Sequence, residues 1–368
     1  MFTPKYSTED SEMLFNIEEI KRLKFRIERL LIMPKHEQWL RREAFLRTAY
    51  SSTMIENNSI SEEEMEKIAK PSPAASIPKE REDVANYGRA LEFVDFLSDA
   101  EFTIDESIIR QIHWLLMKGI HDTRIKPGEY RNEPNWIEDQ GVRVYEPPFY
   151  VDVPILMREF TIWLRENESL DPIIKAAIAH AHLIAIHPFV DGNGRTARLL
   201  ATLVLQKQGY GFRKLLSLDV YYQGYRDRYI KALSQSLGPK FSPDYDLTPW
   251  LQFFTLSIIL QASRLETKLT DWRMWVEKAH KGMADSGLSD RQIDGLIYAM
   301  NVGYITRKDY MEIVNVSPLT ATRDLAFIVK KGLLIPQGVA RNKRYLFGSG
   351  KQRTIQKEEI QPKMILPT

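Results

Sequence analysis

No cysteine occurs among the 368 residues, which removes disulfides, thiolate metal sites and a cysteine nucleophile together and fits a reducing compartment. An excess of one charge is missing as well. Lys and Arg number 51 against 49 Asp and Glu, a formal net charge of +2, so no broad basic field draws in nucleic acid or anionic lipid. No apolar run approaches the ~20 residues of a membrane span. The opening MFTPKYSTEDSEML carries acids where a secretory leader carries a basic and then an apolar stretch. The cytoplasm is the expected location, with no membrane partner, and chemistry is left to His, Asp, Glu, Arg or hydroxyl groups.

What is present suits large cores: 43% of the residues are hydrophobic, and the length as a soft guide implies two or three domains. Leu14, Ile17, Phe25 and Leu31 recur at helical spacing between about Ser11 and Ile32, and a second amphipathic segment runs from Glu37 to about Glu56. The prolines of KPSPAASIPKE mark a loop from Lys70 to Glu80. Helices are expected near Arg81 to Leu97 and Ile104 to Lys118. Between Lys126 and Pro154 the pattern changes, and NWIEDQGVRVY sets β-formers on either side of Glu138 to Gly141, as a hairpin does. Helices resume at about Pro154 to Asn167 and Pro172 to Ile186, the latter apolar or small almost all round, as a buried helix is. Further helices are expected from Gly194 to Gln208, Tyr225 to Leu237 and Thr248 to about Ala279. Past Lys281 to Gly287 the pattern shortens to helices at Asp290 to Met300, Arg307 to Val314 and Pro318 to Lys330, then GLLIPQGVARNKRYLF. Three helices and a hairpin read as a winged helix. The expected fold is mainly α: an all-helical core carrying a β-hairpin flap, plus a C-terminal winged-helix domain.

The chemistry concentrates in HPFVDGNGRTAR, His187 to Arg198. Two glycines flank Asn193, so the backbone can turn tightly and aim successive N–H groups at one point just before a helix begins, an anion cradle suited to a diphosphate. Arg195 and Arg198 are three residues apart in the first turn, and both guanidinium groups can pair with phosphate oxygens. Asp191 offers a hard oxygen for the Mg²⁺ that accompanies nucleotide phosphates. His187, at the other rim, titrates near neutrality and can take a proton from an attacking hydroxyl. Glycines in this spacing alone are no more than a helix-to-helix turn; the whole run carries more. Upstream, His180 and His182 stand i and i+2 on an apolar helix, so they point to different faces and read as core histidines rather than as metal ligands with His187.

HPFVDGNGRTAR fits the HPF-x-D/E-GNGR-x-x-R signature at every defined position, and the chain resembles the Fic family of AMP transferases. SSTMIEN, Ser51 to Asn57, resembles that family's inhibitory S/T-x-x-x-E-G/N helix, with Ser52, Glu56 and Asn57 at the defined places. The resemblance implies a division into an N-terminal helical region 1–100 with an inhibitory helix at about 37–57, a Fic core 101–280, a winged helix 288–348 and a tail 349–368. It implies that His187 is the general base toward a Ser, Thr or Tyr hydroxyl of a target protein, auto-modification included, and that Asp191 holds Mg²⁺. The ATP-binding set it implies runs from Gly192 through Asn193, Gly194, Arg195, Thr196 and Ala197 to Arg198, the last on the γ phosphate. Glu56 would pair with Arg198, take the place of that phosphate and leave ATP in an unproductive pose.

The hairpin near Lys126 to Pro148 corresponds to the family's flap, where a target segment aligns by strand addition; Tyr130 and Trp136 serve there or in packing. Tyr222, Tyr225 and Tyr229 in VYYQGYRDRYIKAL are candidates for the adenine pocket. The family pattern commonly has a second aromatic after Tyr229, and Ile230 stands there instead. In the last domain Thr320, Thr322 and Arg323 face one side of a helix opened by Ser317-Pro318, and Arg341, Lys343 and Arg344 lie on the wing. That domain suits protein contact or a homodimer, with DNA contact left open. Three functions remain in view: a self-inhibited protein adenylyltransferase, a Fic enzyme with other chemistry such as AMP removal or transfer of another phosphate-containing moiety, and a DNA-binding regulator with a nucleotide-sensing Fic core.

Overall fold

A computed structural model describes residues 2–56, 82–120, 122, 124–139, 141–339 and 343–348. These divide into two units, the first formed by residues 2–28, 43–56 and 82–264 and the second by residues 29–42 and 265–348. The expected tail 349–368 and the wing residue Arg341 lie outside the described residues.

The chain opens with α1 (Ser11–Arg29) and α2 (Pro34–Ile55). In the first unit α3 (Glu82–Ser98), α4 (Glu106–Met117), α5 (Val153–Glu166), α6 (Pro172–Ile186), α7 (Asn193–Lys207), α8 (Leu218–Gly224) and α9 (Arg226–Leu237) follow. The long helix α10 (Thr248–Met283) begins in this unit. Helix α6 is the axis. Asp171 caps it by accepting from Ile173 N at 2.9 Å, Pro172 occupies its first turn, and every residue from Ile173 to Ile186 is buried. The indole of Trp250 on α10 donates to Ala177 O at 2.8 Å, so the ring fills core volume without a stranded N–H. A neighbouring cluster joins Ala49 and Tyr50 of α2, Val84, Tyr87 and Val94 of α3, Ile112 and Leu116 of α4, and Leu199 and Leu203 of α7. Each such apolar side chain contributes about 1.5–3 kcal/mol by leaving water, and together they fix α2, α4 and α7, the helices that carry the site described below.

The hairpin of β1 (Ile137–Asp139) and β2 (Val142–Tyr145) turns at Gly141, with Glu138 opposite Arg143 and an irregularity between Ile137 and Glu138. Val142 and Val144 face solvent, while Tyr145 is buried and its hydroxyl donates to Ala185 O of α6 at 2.9 Å. That bond ties the hairpin to the axis helix.

The second unit contains α11 (Asp290–Val302), β3 (Tyr304–Thr306), α12 (Arg307–Val314), α13 (Pro318–Lys330), β4 (Leu334–Gln337) and β5 (Arg344–Phe347). The strands form an antiparallel sheet in the order β3, β5, β4. Ile293, Ile297, Ile305, Leu325, Ile328 and Tyr345 pack its core. Asp324 is the buried polar hub, accepting from Arg291 Nε at 2.8 Å, Gln292 Nε2 at 2.9 Å and Tyr310 Oη at 3.1 Å. Strand β3 was not foreseen in the sequence pattern, since three residues are too few to show an alternation, and the short helix α8 was missed for the same reason.

The first unit holds its described histidines in the neutral form. Burial lowers His113 and His182 to about 3 and His187 to about 4, and sends His180 well below its ordinary value. In the unfolded chain each titrates near 6.5, so between that pH and about 4 the unfolded state binds more protons. The contribution of these histidines to stability is therefore full above pH 6.5 and is lost as pH drops below it. Urea unfolding from pH 7.5 to 5 is expected to show a steeply falling midpoint, with His182→Gln flattening the slope by about one proton; a midpoint constant over this range would refute it.

Candidate active site

Helix α6 cannot continue through His187, because the following Pro188 lacks an N–H and disfavours α geometry before it. His187 instead adopts left-handed backbone angles (φ 50°, ψ 57°), and its N–H closes the helix on Leu183 O at 2.9 Å. Its carbonyl accepts from Arg131 Nε at 2.9 Å. Nδ1 donates to Ile184 O at 3.4 Å, which leaves Nε2 as the basic nitrogen. Burial holds the ring at about 4 against the opposing influence of Ile184 O, with Arg131 adding to the lowering and Glu56 and Asp191 opposing it. The imidazole is neutral at physiological pH and ready to accept a proton.

The loop from His187 to α7 is closed by Asn193, whose side chain accepts from Phe189 N at 2.9 Å and donates to Phe189 O at 2.8 Å. The Asn193 side chain thus shapes the cradle, and its contribution to an anion site is through the backbone. Gly192 has φ 76°, and a Cβ there would lie 2.7 Å from Met117 Sδ and 3.3 Å from the His113 ring, so both backbone and space demand glycine. The first helical bond of α7 is Thr196 N to Gly192 O at 2.9 Å. The N–H groups of Asn193, Gly194 and Arg195 precede it and have no acceptor within the helix. They form an anion cradle at the positive end of a buried helix. Thr196 turns its hydroxyl back to Gly192 O at 2.8 Å and Ala197 is fully buried, so these two support the loop from below.

Asp191 is half exposed; it accepts from Gly192 N at 2.6 Å and from Arg195 Nη2 at 3.2 Å. Arg195 is itself buried, and its Nε has no hydrogen-bond partner. A buried guanidinium nitrogen without an acceptor is costly.

Arg198 lies in the interior. Its Nε donates to Ser52 Oγ at 2.8 Å and stands 3.0 Å from Asp219 Oδ1; its Nη2 donates to Ser52 O at 3.0 Å and Glu56 Oε1 at 2.9 Å. Burial alone would lower this guanidinium, but the charges around it, Glu56 foremost and Asp219 among them, outweigh burial and hold it firmly protonated. Ser52 is buried on α2, and Glu56 follows the last turn of that helix, whose Ile55 carbonyl is capped by Arg226 Nε at 3.0 Å. Asn57 lies outside the described residues. The Glu56 carboxylate sits so close over Gly194 that a Cβ there would overlap Oε1. Carboxylate, cradle and arginine therefore converge.

The tyrosines separate. Tyr222 and Tyr229 are buried and stacked with centroids 4.9 Å apart, and Tyr229 Oη meets His180 Nε2 at 3.1 Å. Tyr225 is 37% exposed and lies against Tyr221 instead. His180 and His182 are both core residues on different faces, His182 meeting the Tyr245 hydroxyl. Tyr130 donates to Glu106 Oε2 at 3.0 Å, and the half-exposed Trp136 carries the Arg143 guanidinium over its ring at 3.5 Å.

Three residues absent from the sequence reading complete the site. Asp219 is buried, accepts from Tyr87 Oη at 3.2 Å and has its carboxyl pushed up by burial against the pull of Arg198. His113 accepts from Gly128 N at 2.9 Å through Nδ1, donates to Asp191 O at 3.0 Å through Nε2 and stacks on Phe189 at 3.7 Å. Arg131 joins His187 O to Pro148 O, the latter at 2.5 Å, and so links the loop to the residues after the hairpin. None stands in a dense motif; the signal available for Arg131 was its place in PGEYR, beside the expected flap.

The helical core thus brings together a neutral imidazole at the end of α6 and, in the first turns of α7, N–H groups without helical acceptors and two buried arginines, an arrangement whose chemistry suits an anion and a proton donor. Residues 103–205 match the Fic/DOC family. It is 33% identical over 218 residues to the protein adenylyltransferase Fic of Nematostella vectensis, covering 56% of this chain and 47% of the relative. With the protein of the same name from Drosophila virilis it is 31% identical over 174 residues, covering 46% and 34%. The chain spans about half or less of the length of these curated relatives. Its fold is similar to the crystal structure of a Fic family protein from Desulfovibrio desulfuricans G20, with a TM-score of 0.60 and 24% identity over 96% of this chain and 100% of that one. It is also similar to Caenorhabditis elegans Fic-1, with a TM-score of 0.53 and 24% identity over 70% and 73%. Among the described residues no helix is long and apolar enough to cross a membrane.

The imidazole of His187 is expected to titrate near 4 rather than near 6.5. Proton-detected NMR of the histidine rings should show His187 neutral from pH 8 down to about 5; a midpoint between 6 and 7 would contradict the buried, cap-position geometry.

Proposed function

We propose that the protein is a self-inhibited protein adenylyltransferase that transfers AMP from ATP to a Ser, Thr or Tyr hydroxyl of a target protein, its own chain included. The observation that carries this reading is the convergence of the His187 imidazole, the cradle before α7 and the Arg198 guanidinium, with the Glu56 carboxylate laid 2.9 Å from that guanidinium. The names of the relatives agree with it.

In the reaction the target hydroxyl oxygen forms a bond to the α phosphorus of ATP. The bond from that phosphorus to the oxygen bridging to the β phosphate breaks, and pyrophosphate leaves. The hydroxyl proton passes to Nε2 of His187, whose Nδ1 stays on Ile184 O. The N–H groups of Asn193, Gly194 and Arg195, with the unpartnered Nε of Arg195, receive the phosphate charge. Asp191 fits a Mg²⁺ ion: it is hard, half exposed, and keeps lone pairs beyond those taken by Gly192 and Arg195. Such an ion, when bound, neutralises the diphosphate as it departs.

Arg198 is assigned to the γ phosphate, and Glu56 to its place at rest. Both bind the guanidinium with oxygens of negative charge, so only one can be there. The stacked pair Tyr222 and Tyr229 is assigned to the wall of the adenine pocket, with Tyr225 on its outer side. The hairpin is assigned to the target: Val142 and Val144 are exposed, and an open strand edge aligns a segment through its backbone without reading its sequence. In the second unit, the order helix, strand, helix, helix, strand, strand with β5 central supports the winged-helix reading. Its modest positive charge favours protein contact, a second copy of this chain included, over DNA.

Incubation with α-labelled ATP, Mg²⁺ and lysate tests the proposal. Wild type is expected to label weakly, Glu56→Gly at least about tenfold more strongly, and His187→Ala within Glu56→Gly to lose about 10²–10⁴-fold, the usual contribution of a positioned base. Label that survives loss of His187 would sink the mechanism. Equal labelling by wild type and Glu56→Gly would remove the inhibitory role and leave transfer standing.

A further inference from the structure

Two carboxylates of different character hold Arg198. Glu56 stands at the open end, its side chain 38% exposed; Asp219, on α8, is 4% exposed and 3.0 Å from Nε. Asp219 is anchored by the Tyr87 hydroxyl at 3.2 Å, and Ser52 Oγ takes the same Nε at 2.8 Å. A guanidinium is a rigid planar fork, so fixing its Nε edge in the interior fixes the direction of its terminal nitrogens. Of these, Nη2 is the one that meets Glu56.

We propose that Asp219 is a positioning residue: it pins the Nε edge of Arg198, so that when Glu56 withdraws the terminal nitrogens keep facing the nucleotide site and read the γ phosphate. The inference rests on the adenylyl-transfer reading, in which Arg198 receives that phosphate. Without Asp219, withdrawal of Glu56 leaves a buried guanidinium with no carboxylate, held only by the neutral partners Ser52 and Tyr229 and able to turn toward other acceptors. With Asp219, the buried charge stays compensated in both states, and the fork is already formed when ATP arrives. Preorganisation of this kind acts on the ligand that reaches Arg198 and spares one that stops short of it. The distinguishing quantity is the preference for ATP over ADP.

Calorimetric titration of the full chain with ATP and with ADP, each with Mg²⁺, provides the test in the Glu56→Gly background. Adding Asp219→Ala is expected to weaken ATP by about tenfold, the loss of one charge-assisted contact, and to change ADP by less than about twofold. Asp219→Asn, which keeps an acceptor, should fall between, and Tyr87→Phe should give a smaller loss in the same direction. An unchanged ATP preference in Asp219→Ala, or equal losses for both nucleotides, would overturn the inference. Should Asp219→Ala fail to fold, Tyr87→Phe decides, and an unchanged ratio there overturns it too. A Glu56→Gly parent that binds neither nucleotide overturns the transfer reading and this inference with it. A parent that prefers ATP and keeps the preference without Asp219 overturns the inference alone.

Discussion

The buried guanidinium of Arg198 is the constraint around which the first unit is organised. A charge with a side chain 1% exposed stays in a protein interior only if its N–H groups are met and its charge is offset. Four helices supply what it needs: α2 through Ser52 and the residue that follows its last turn, α8 through Asp219, α9 through Tyr229, and α3 indirectly through Tyr87. The apolar cluster linking α2, α3, α4 and α7 brings those partners within reach. Core and charge are thus coupled, because the packing that gathers Tyr50, Tyr87 and Leu199 also assembles the arginine's ligands.

A second set of bonds keeps the loop in shape. Asn193 braces it from within through Phe189, His113 holds Asp191 O from α4, and Arg131 holds His187 O from the flap side. Each brace engages a backbone group, so each acts on position and leaves the chemistry to other atoms. The neutral tautomer of His113 is part of this. With Nδ1 accepting and Nε2 donating, one ring serves two partners, and its depression to about 3 by burial keeps that state throughout the neutral range. In the reading proposed here, the braces lie where protons and phosphates would be handled, which is what electrostatic stabilisation without reorganisation requires.

Much of this was legible in the sequence because it is local. The run from His187 to Arg198 places cap, turn and helix start within a few residues, and the buried character of α6 follows from its small and apolar residues. The α2 partner is another matter: Glu56 and Arg198 are 142 positions apart, and only the resemblance to a family linked them. Asp219 and His113 were missed because each stands alone in sequence, an acid in LSLDV and a histidine on an amphipathic helix, and either reads as ordinary until tertiary packing sets it against Arg198 or Asp191. The pairing of Tyr222 with Tyr229 was visible as composition, but their burial away from Tyr225 was not, since α8 and α9 break between them at Gly224 and Tyr225.

The two carboxylates also explain how a firm contact can be released. A hydrogen bond to a charged group contributes roughly 1.5–3 kcal/mol, and exposure of Glu56 reduces its share toward the lower end. A restraint of that size lowers the open population by only about tenfold, the factor that 1.4 kcal/mol corresponds to. Were Glu56 the sole counter-charge, opening would leave a bare guanidinium in the interior, at a cost of about 3–5 kcal/mol, and the resting state would be close to locked. Asp219 removes most of that cost because it stays on Nε whichever way Glu56 lies. In the reading proposed here the restraint on His187 is accordingly a bias, strong enough to keep most molecules idle and weak enough for a ligand or partner with a modest preference for the open form to reverse.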